Sequence, residues 1–105
     1  MGKSELKSIA ERVNKCAIEN EVRRYSQNTV LSEVRGFKNY KCGGVSVTFL
    51  DDPMSCSAAV SVEVFVRPRR GDIYPEMLFR EIFCSSKFNC NLIVETVCNR
   101  LKEAS

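Results

Sequence analysis

Apolar residues recur along the chain with two different periods, and each period predicts one type of element. From Ser4 to about Arg24 they return every three or four positions, the spacing that aligns side chains on one face of a helix. The opposite face of this segment is charged, so the helix is predicted to be amphipathic. Its apolar face is formed by Leu6, Ile9, Ala10, Val13, Cys16 and Ala17.

A second helix is predicted after a polar break at residues 26–28. Ser26 and Asn28 are of the residue types that cap helix N-termini. Gly36 is expected to end this helix, because glycine tolerates the left-handed conformation that is common just beyond a helix. The apolar residues of the segment are Val30, Leu31 and Val34.

Two later stretches alternate between apolar and mostly polar residues, which predicts strands with one buried face. Residues 44–50 carry Val45, Val47 and Phe49 at every second position. Residues 60–66 repeat this pattern with four valines. An Asp-Asp-Pro sequence at 51–53 ends the first stretch, so the second is expected to return antiparallel to it.

The segment at residues 75–83 fits two structures. Glu and Met soon after a proline favour a short helix, whereas a strand would place Met77, Phe79 and Phe83 on one face. Two serines at 85–86 then offer a cap for a final helix. The apolar stripe of that helix consists of Cys90, Ile93, Val94, Val97, Cys98 and Leu101.

Composition narrows the possible functions of the 105 residues. A hydrophobic content of 44% suffices for one core without metal or disulfide support. The absence of histidine removes the usual acid–base group at neutral pH and the Ser-His and Cys-His nucleophile pairs, so no enzyme is expected. No apolar run approaches the roughly 18 residues that cross a membrane, and the first residues lack the apolar core of a signal peptide. A cytoplasmic protein without a membrane partner is therefore predicted.

Six cysteines raise the alternatives of disulfides and zinc. A disulfide framework needs an oxidising compartment, for which the sequence shows no export signal. None of the cysteines forms a C-x-x-C pair, the local arrangement that zinc sites normally use. No metal and no other cofactor is expected, and Cys16, Cys90 and Cys98 are predicted to pack as small hydrophobes.

Three stretches and the order of elements resemble the double-stranded-RNA-binding domain. The stretches are residues 31–37 (LSEVRGF), 47–51 (VTFLD) and 77–79 (MLF), the last followed by Cys-Ser-Ser at 84–86. They are most similar to degenerate C-terminal versions, such as the last domain of Staufen and the third domain of Loquacious-type Dicer partners. The resemblance implies an α+β fold of order α-β-β-β-α, in which a three-stranded antiparallel sheet packs on two helices. It makes segment 75–83 the third strand.

The same resemblance divides the chain into two parts. Residues 27–105 correspond to the degenerate domain, and residues 1–26 form an additional amphipathic helix before it. In Staufen-like proteins such a helix docks on a groove of the domain, in its own chain or in a second copy. An ordinary first helix of the chain's own core is the alternative, because amphipathic helices usually face their core. The candidate docking residues are Leu6, Ile9, Val13 and Ala17.

Most of the residues with which the resembling family binds duplex RNA are absent from this sequence. Family members that bind RNA carry three lysines at the start of the last helix, and of these the sequence SKFNCN at 86–91 keeps only Lys87. The loop after the first long strand has two aspartates and no histidine, where the family has a Gly-Pro-x-His pattern. The resemblance therefore implies little or no RNA binding. The alternative is weak binding through Lys87 and Arg100 together with the turn of Arg67, Arg69 and Arg70.

An exposed third strand implies a different role for the domain, since unpaired strand edges pair with other chains. In the resembling domains this strand mediates dimerisation. Arg80 and Glu81 are adjacent and opposite in charge, and are expected to set the register. The predicted function is a non-catalytic homodimerisation module, or one that pairs with another protein, in a parent that binds duplex RNA through other domains. The candidate interface residues are Met77, Leu78, Phe79, Arg80, Glu81, Ile82 and Phe83.

Overall fold

In the part of the chain that the structure describes, two helices flank a run of four strands. The computed structural model describes residues 2–32, 38–52, 57–84 and 89–104. The elements are α1 (Lys3–Glu19), β1 (Lys38–Cys42), β2 (Val45–Asp52), β3 (Ser57–Val66), β4 (Glu76–Cys84) and α2 (Cys90–Ala104). The predicted α+β class is confirmed, with a helix first and a helix last.

The sheet has four strands, where three were predicted. Its order is β1-β2-β3-β4 and every neighbouring pair is antiparallel, so the strands follow one another as a meander. The strongly alternating segments β2 and β3 form its centre. The additional strand is β1, in which Tyr40 and Cys42 pack against the core. Its sequence KNYKC contains no aliphatic residue, so the alternation that indicates a strand is weak there.

Both helices contribute to one core with the sheet. Helix α1 contacts α2, β1 and β2. Glu5 and Cys90, each in the first turn of its helix, lie 3.9 Å apart between Oε2 and Sγ, so the helices start at the same end. Along the sheet, valines of β2 and β3 fill the space beneath the helices. The fully buried side chains at the centre of the core are Leu6, Ile9, Val13, Val45, Val47, Val60, Val62, Val64, Val66, Val97 and Leu101.

The helix predicted from residue 28 to Gly36 is wrong for the part of it that the structure describes. Residues 27–28 form a turn and residues 29–32 have no regular secondary structure, and residues 33–37 lie outside the described ranges. The Ser26 hydroxyl accepts a hydrogen bond from the Asn28 N–H, only two residues ahead, at 3.2 Å. Such local bonds give the backbone an alternative to a helix. The helix that packs beside α2 is therefore α1, the segment predicted to be an addition to the domain.

Segment β4 is a strand, as the resemblance implied. Phe79 lies opposite Val64 and Met77 lies opposite Phe65, so Leu78 is one extra residue and forms a bulge. The bulge turns Met77 to the opposite face of the sheet from Phe79, whereas the sequence predicted both on one face. The predicted final helix is also confirmed. The N–H of its Leu92 donates to the Asn89 side chain at 3.2 Å, while the predicted caps at 85–86 lie outside the described residues.

Candidate protein interface

Strand β4 lies at one edge of the sheet. It pairs with β3 on one side, and no strand of the described ranges pairs with it on the other. Its nine residues contain neither proline nor lysine, the residues that commonly protect such edges. Among the described residues, the outer side of the β4 backbone therefore has no strand partner.

The side chains of β4 divide between the two faces of the sheet. We call the face away from the helices the open face, and define it by Ser46, Thr48, Ser61, Glu63 and Phe65, of which the two serines and the threonine are at most 7% exposed. Ile82 and Met77 join this face and are 53% and 41% exposed. Phe79 is only 6% exposed, and Leu78 and Phe83 pack against the core. Of the predicted apolar interface residues, Met77 and Ile82 are thus the ones that solvent reaches most.

The two charged residues of β4 are paired within the chain. Arg80 lies on the open face, where its Nη2 is 3.4 Å from Oε1 of Glu63 on β3. Glu81 lies on the helix side and pairs with Arg100 of α2. Neither charge is free to set the register of a dimer unless it exchanges its present partner.

Arg100 makes further contacts that the sequence did not indicate. Its guanidinium lies 4.5 Å from the centre of the Phe79 ring, and its Nη1 donates to the Arg80 carbonyl oxygen at 3.3 Å. These contacts join α2 to β4 across about twenty residues of sequence, a distance at which residue spacing gives no signal. They also occupy a guanidinium that would otherwise be available to an RNA phosphate.

The candidate docking residues of the N-terminal helix lie in the core of their own chain. Their side chains are fully buried, with 0% exposure at all four positions. They pack with α2 and with the helix side of β1 and β2. The four residues are Leu6, Ile9, Val13 and Ala17.

The arginine turn between β3 and β4 is exposed but partly neutralised. Nε of Arg69 lies 3.3 Å from Glu76 Oε2, and Nη2 of Arg24 lies 2.6 Å from the same oxygen. A hydrogen bond from Arg24, with the charges of both guanidinium groups, holds the pKa of Glu76 below its usual range. Arg67 and Arg70 have exposed side chains without an ion pair in the described part of the chain. Lys87, the other candidate RNA contact, lies outside the described residues.

Three exposed apolar residues lie near the same turn. The sequence analysis did not identify them as candidate functional residues. Val30, Ile73 and Tyr74 are 84%, 80% and 77% exposed. They line a groove of about 490 Å³ at the end of the open face. The sequence does show that these apolar residues lie in segments rich in turn-forming residues. It does not show that residue 30 lies next to residues 73 and 74, because only the fold brings them together.

Three cysteines in the described part of the chain have thiols with raised pKa values. Burial, followed by a hydrogen bond with Cys16, raises the pKa of Cys98 to about 12, and burial also raises the pKa of Cys90 and Cys42. Thiols with raised pKa values are poor nucleophiles and poor metal ligands at neutral pH. Within the described residues, no group of three or more Cys, Asp or Glu side chains is placed to hold a metal ion. No helix in those ranges is long and apolar enough to cross a membrane.

Comparisons with known proteins identify no relative of this chain. The chain matches no protein-family model, no curated protein and no solved structure. The β4 edge and the groove beside the arginine turn are therefore the two features from which a function can be inferred.

Proposed function

We propose that this chain is a non-catalytic homodimerisation module in which β4 pairs with β4 of a second copy. The observation that carries the proposal is the position of β4 at the edge of the sheet, with its outer backbone groups unpaired by any described strand. Two copies of one edge strand can pair antiparallel around a two-fold axis, because such an interface needs only one self-complementary surface.

The faces of the two sheets would be continuous across this interface. Residues directly opposite each other in an antiparallel pair lie on the same face, so the open faces of both copies would join. Ile82 is the most exposed apolar residue of the strand, and pairing would cover part of its surface. The paired helices of both copies would then lie on the other side of one eight-stranded sheet.

We further propose that the module acts in a cytoplasmic protein that binds double-stranded RNA through other domains, as the Staufen-like resemblance implies. Joining two copies raises the effective concentration of those domains and so their avidity for RNA. The module itself would bind RNA weakly or not at all. This view is supported by the ion pairs of Arg69 and Arg100, because guanidinium groups paired with carboxylates are less available to phosphates.

The molar mass in solution tests the proposal. Light scattering during gel filtration should report twice the 11.9 kDa of one chain. Ile82→Asp should give a folded monomer, because a carboxylate on the open face would lie beside the partner strand and lose solvation. Ile82 suits this test better than Leu78, whose side chain packs against the core.

Leu92→Asp is the matched control. Leu92 is 59% exposed, close to the 53% of Ile82, but lies on α2 and not on β4. It should leave the mass of the dimer unchanged. A monomeric wild-type chain at high concentration would refute the proposal, as would a dimer that Ile82→Asp leaves intact. Adding duplex RNA distinguishes the alternative role: tight binding that weakens steeply with salt would contradict a module that only binds protein.

A further inference from the structure

Strand β4 can pair with β4 of a second copy in only a few registers. In an antiparallel pair, residues directly opposite each other lie on the same face of the sheet. If a residue of β4 lay opposite its own neighbour, side chains of different faces would be paired. A two-fold axis therefore places one residue opposite itself, and that residue fixes every other contact. The candidates in the second half of β4 include Arg80, Glu81, Ile82 and Phe83.

Two of these registers bring like charges together. A register centred on Arg80 places two guanidinium groups opposite each other on the open face, and one centred on Glu81 places two carboxylates opposite each other on the helix side. Like charges directly opposite each other destabilise a strand pair. Both registers also include the bulge at Leu78, where the extra residue disrupts regular pairing.

A register centred on Phe83 avoids both problems but pairs little of the strand. Because β4 ends at Cys84, only residues 82–84 of each copy would lie opposite one another. A register centred on Ile82 pairs residues 80–84 of each copy and leaves the bulge at Leu78 outside the paired segment. It is therefore the longest regular pairing that β4 offers without a contact between like charges.

In the Ile82 register, each charged residue of the paired segment faces an uncharged one. Arg80 lies opposite Cys84 on the open face, and Glu81 lies opposite Phe83 on the helix side. Both charged residues can keep the ion pairs that they form within their own chain. The two Ile82 side chains, each 53% exposed in a single copy, meet on the open face and cover each other.

We propose that the two-fold axis of the dimer passes between the two Ile82 residues, so that residues 80–84 of both copies pair. The inference rests on the proposed dimer and specifies its register. It also gives Arg80 and Glu81 a role that differs from the predicted one. They act by excluding the two registers in which they would meet their own copies, and they do not pair with each other across the interface.

Disulfide trapping tests the register. Opposite residues of an antiparallel pair have Cα atoms about 4.5–5.5 Å apart, a separation that a disulfide spans. Ile82→Cys keeps a small apolar side chain at the axis. Oxidised glutathione should link most chains of this dimer through position 82, as two thiols reduce one oxidised glutathione to two reduced molecules. Mass spectrometry of the proteolysed product identifies the linked positions.

The native Cys84, which is exposed, provides two further measurements. Since Cys84 of one copy lies opposite Arg80 of the other, the two Cys84 residues are four positions, roughly 13 Å, apart along the strands. The wild type should therefore not link through Cys84. Arg80→Cys should link position 80 to Cys84 of the second copy. Leu92→Cys, at an exposed position on α2, is the matched control and should form few links.

The outcomes separate failure of the register from failure of the dimer. Links at position 82 in Ile82→Cys, in a chain with the mass of a dimer, support the register. Links between position 82 and Cys84 would instead indicate an axis at Phe83, and links through Cys84 in the wild type an axis at Cys84. Either result would overturn the register and leave the dimer, as would a dimeric Ile82→Cys chain that links no more than Leu92→Cys. A monomeric wild type would overturn both.

Discussion

Tyr25 connects three parts of the chain through one hydroxyl group. It accepts a hydrogen bond from the N–H of Gly44 at 3.1 Å and donates one to the side-chain oxygen of Asn14 on α1. Burial raises the pKa of Tyr25 to about 12, so the hydroxyl remains a donor throughout the physiological range. The β1–β2 turn fits closely around it. Gly43 has a φ of +59°, and a Cβ there would clash with Oδ1 of Asn14.

Tyr25→Phe should therefore destabilise the fold without changing its shape. The variant keeps the ring but leaves the partly buried Gly44 N–H and Asn14 oxygen without their partner, which costs about 1–3 kcal/mol. Urea unfolding followed by circular dichroism measures the loss. Tyr74→Phe is the control, because Tyr74 is 77% exposed. Equal stabilities of the two variants would contradict the role given to the Tyr25 hydroxyl.

At the scale of elements, α1 contributes its apolar face to the same core as α2 and the sheet. Its apolar face was predicted, but its place beside α2 was expected for a different helix. The helix ends at Glu19, earlier than the apolar pattern indicated. Glu21 has a φ of +50°, the left-handed conformation that is common just beyond a helix, and Asn20 caps the end by donating both its backbone N–H and its Nδ2 to the Cys16 carbonyl oxygen, at 3.0 and 2.8 Å.

Leu6→Ala in α1 should lower the free energy of unfolding by about 2–5 kcal/mol, the range for a large side chain removed from a packed core. Leu6 is 0% exposed. Ile18→Ala in the same helix should cost much less, because Ile18 is 43% exposed. Thermal unfolding of the two variants makes the comparison. A small and equal effect at both positions would indicate that α1 is an appended helix, as residues 1–26 were predicted to be.

At the scale of the whole molecule, Glu76 connects three segments. Its carboxylate lies at the start of β4 and pairs with Arg69 in the turn and with Arg24 in the chain that follows α1. Arg24 also donates to the Arg67 carbonyl oxygen at 3.2 Å. These contacts hold the chain after α1 against the β3–β4 turn, and so shape one side of the groove.

The lowered pKa of Glu76 predicts how this contribution depends on pH. A carboxyl group whose pKa falls on folding stabilises the folded state above its unfolded pKa, and the effect is lost as pH falls through the folded value. Glu76→Gln should therefore be less stable than the wild type near pH 7, and the difference should disappear in acid. Urea midpoints between about pH 7 and about pH 3 test this. Glu103→Gln, at an exposed position on α2, is the control and should leave the urea midpoint near pH 7 unchanged.

The sequence alone determined those elements that the spacing of apolar residues within one segment predicts. Regular alternation of valines specified β2 and β3, and three- and four-residue spacing specified both helices, because one buried face imposes its period on the residues. Strand β4 was ambiguous from its own residues, and the family resemblance decided it correctly.

Tertiary structure decided the features that depend on residues distant in the chain. Strand β1 exists because β2 supplies its hydrogen bonds, although its own residues favour a strand only weakly. The bulge at Leu78 determines which β4 side chains reach solvent, and Arg100 pairs with Glu81 only because α2 lies across the sheet. The groove likewise needs Val30 beside Ile73. Periodicity reports the burial of one face, whereas the partner of each side chain is set by packing between elements.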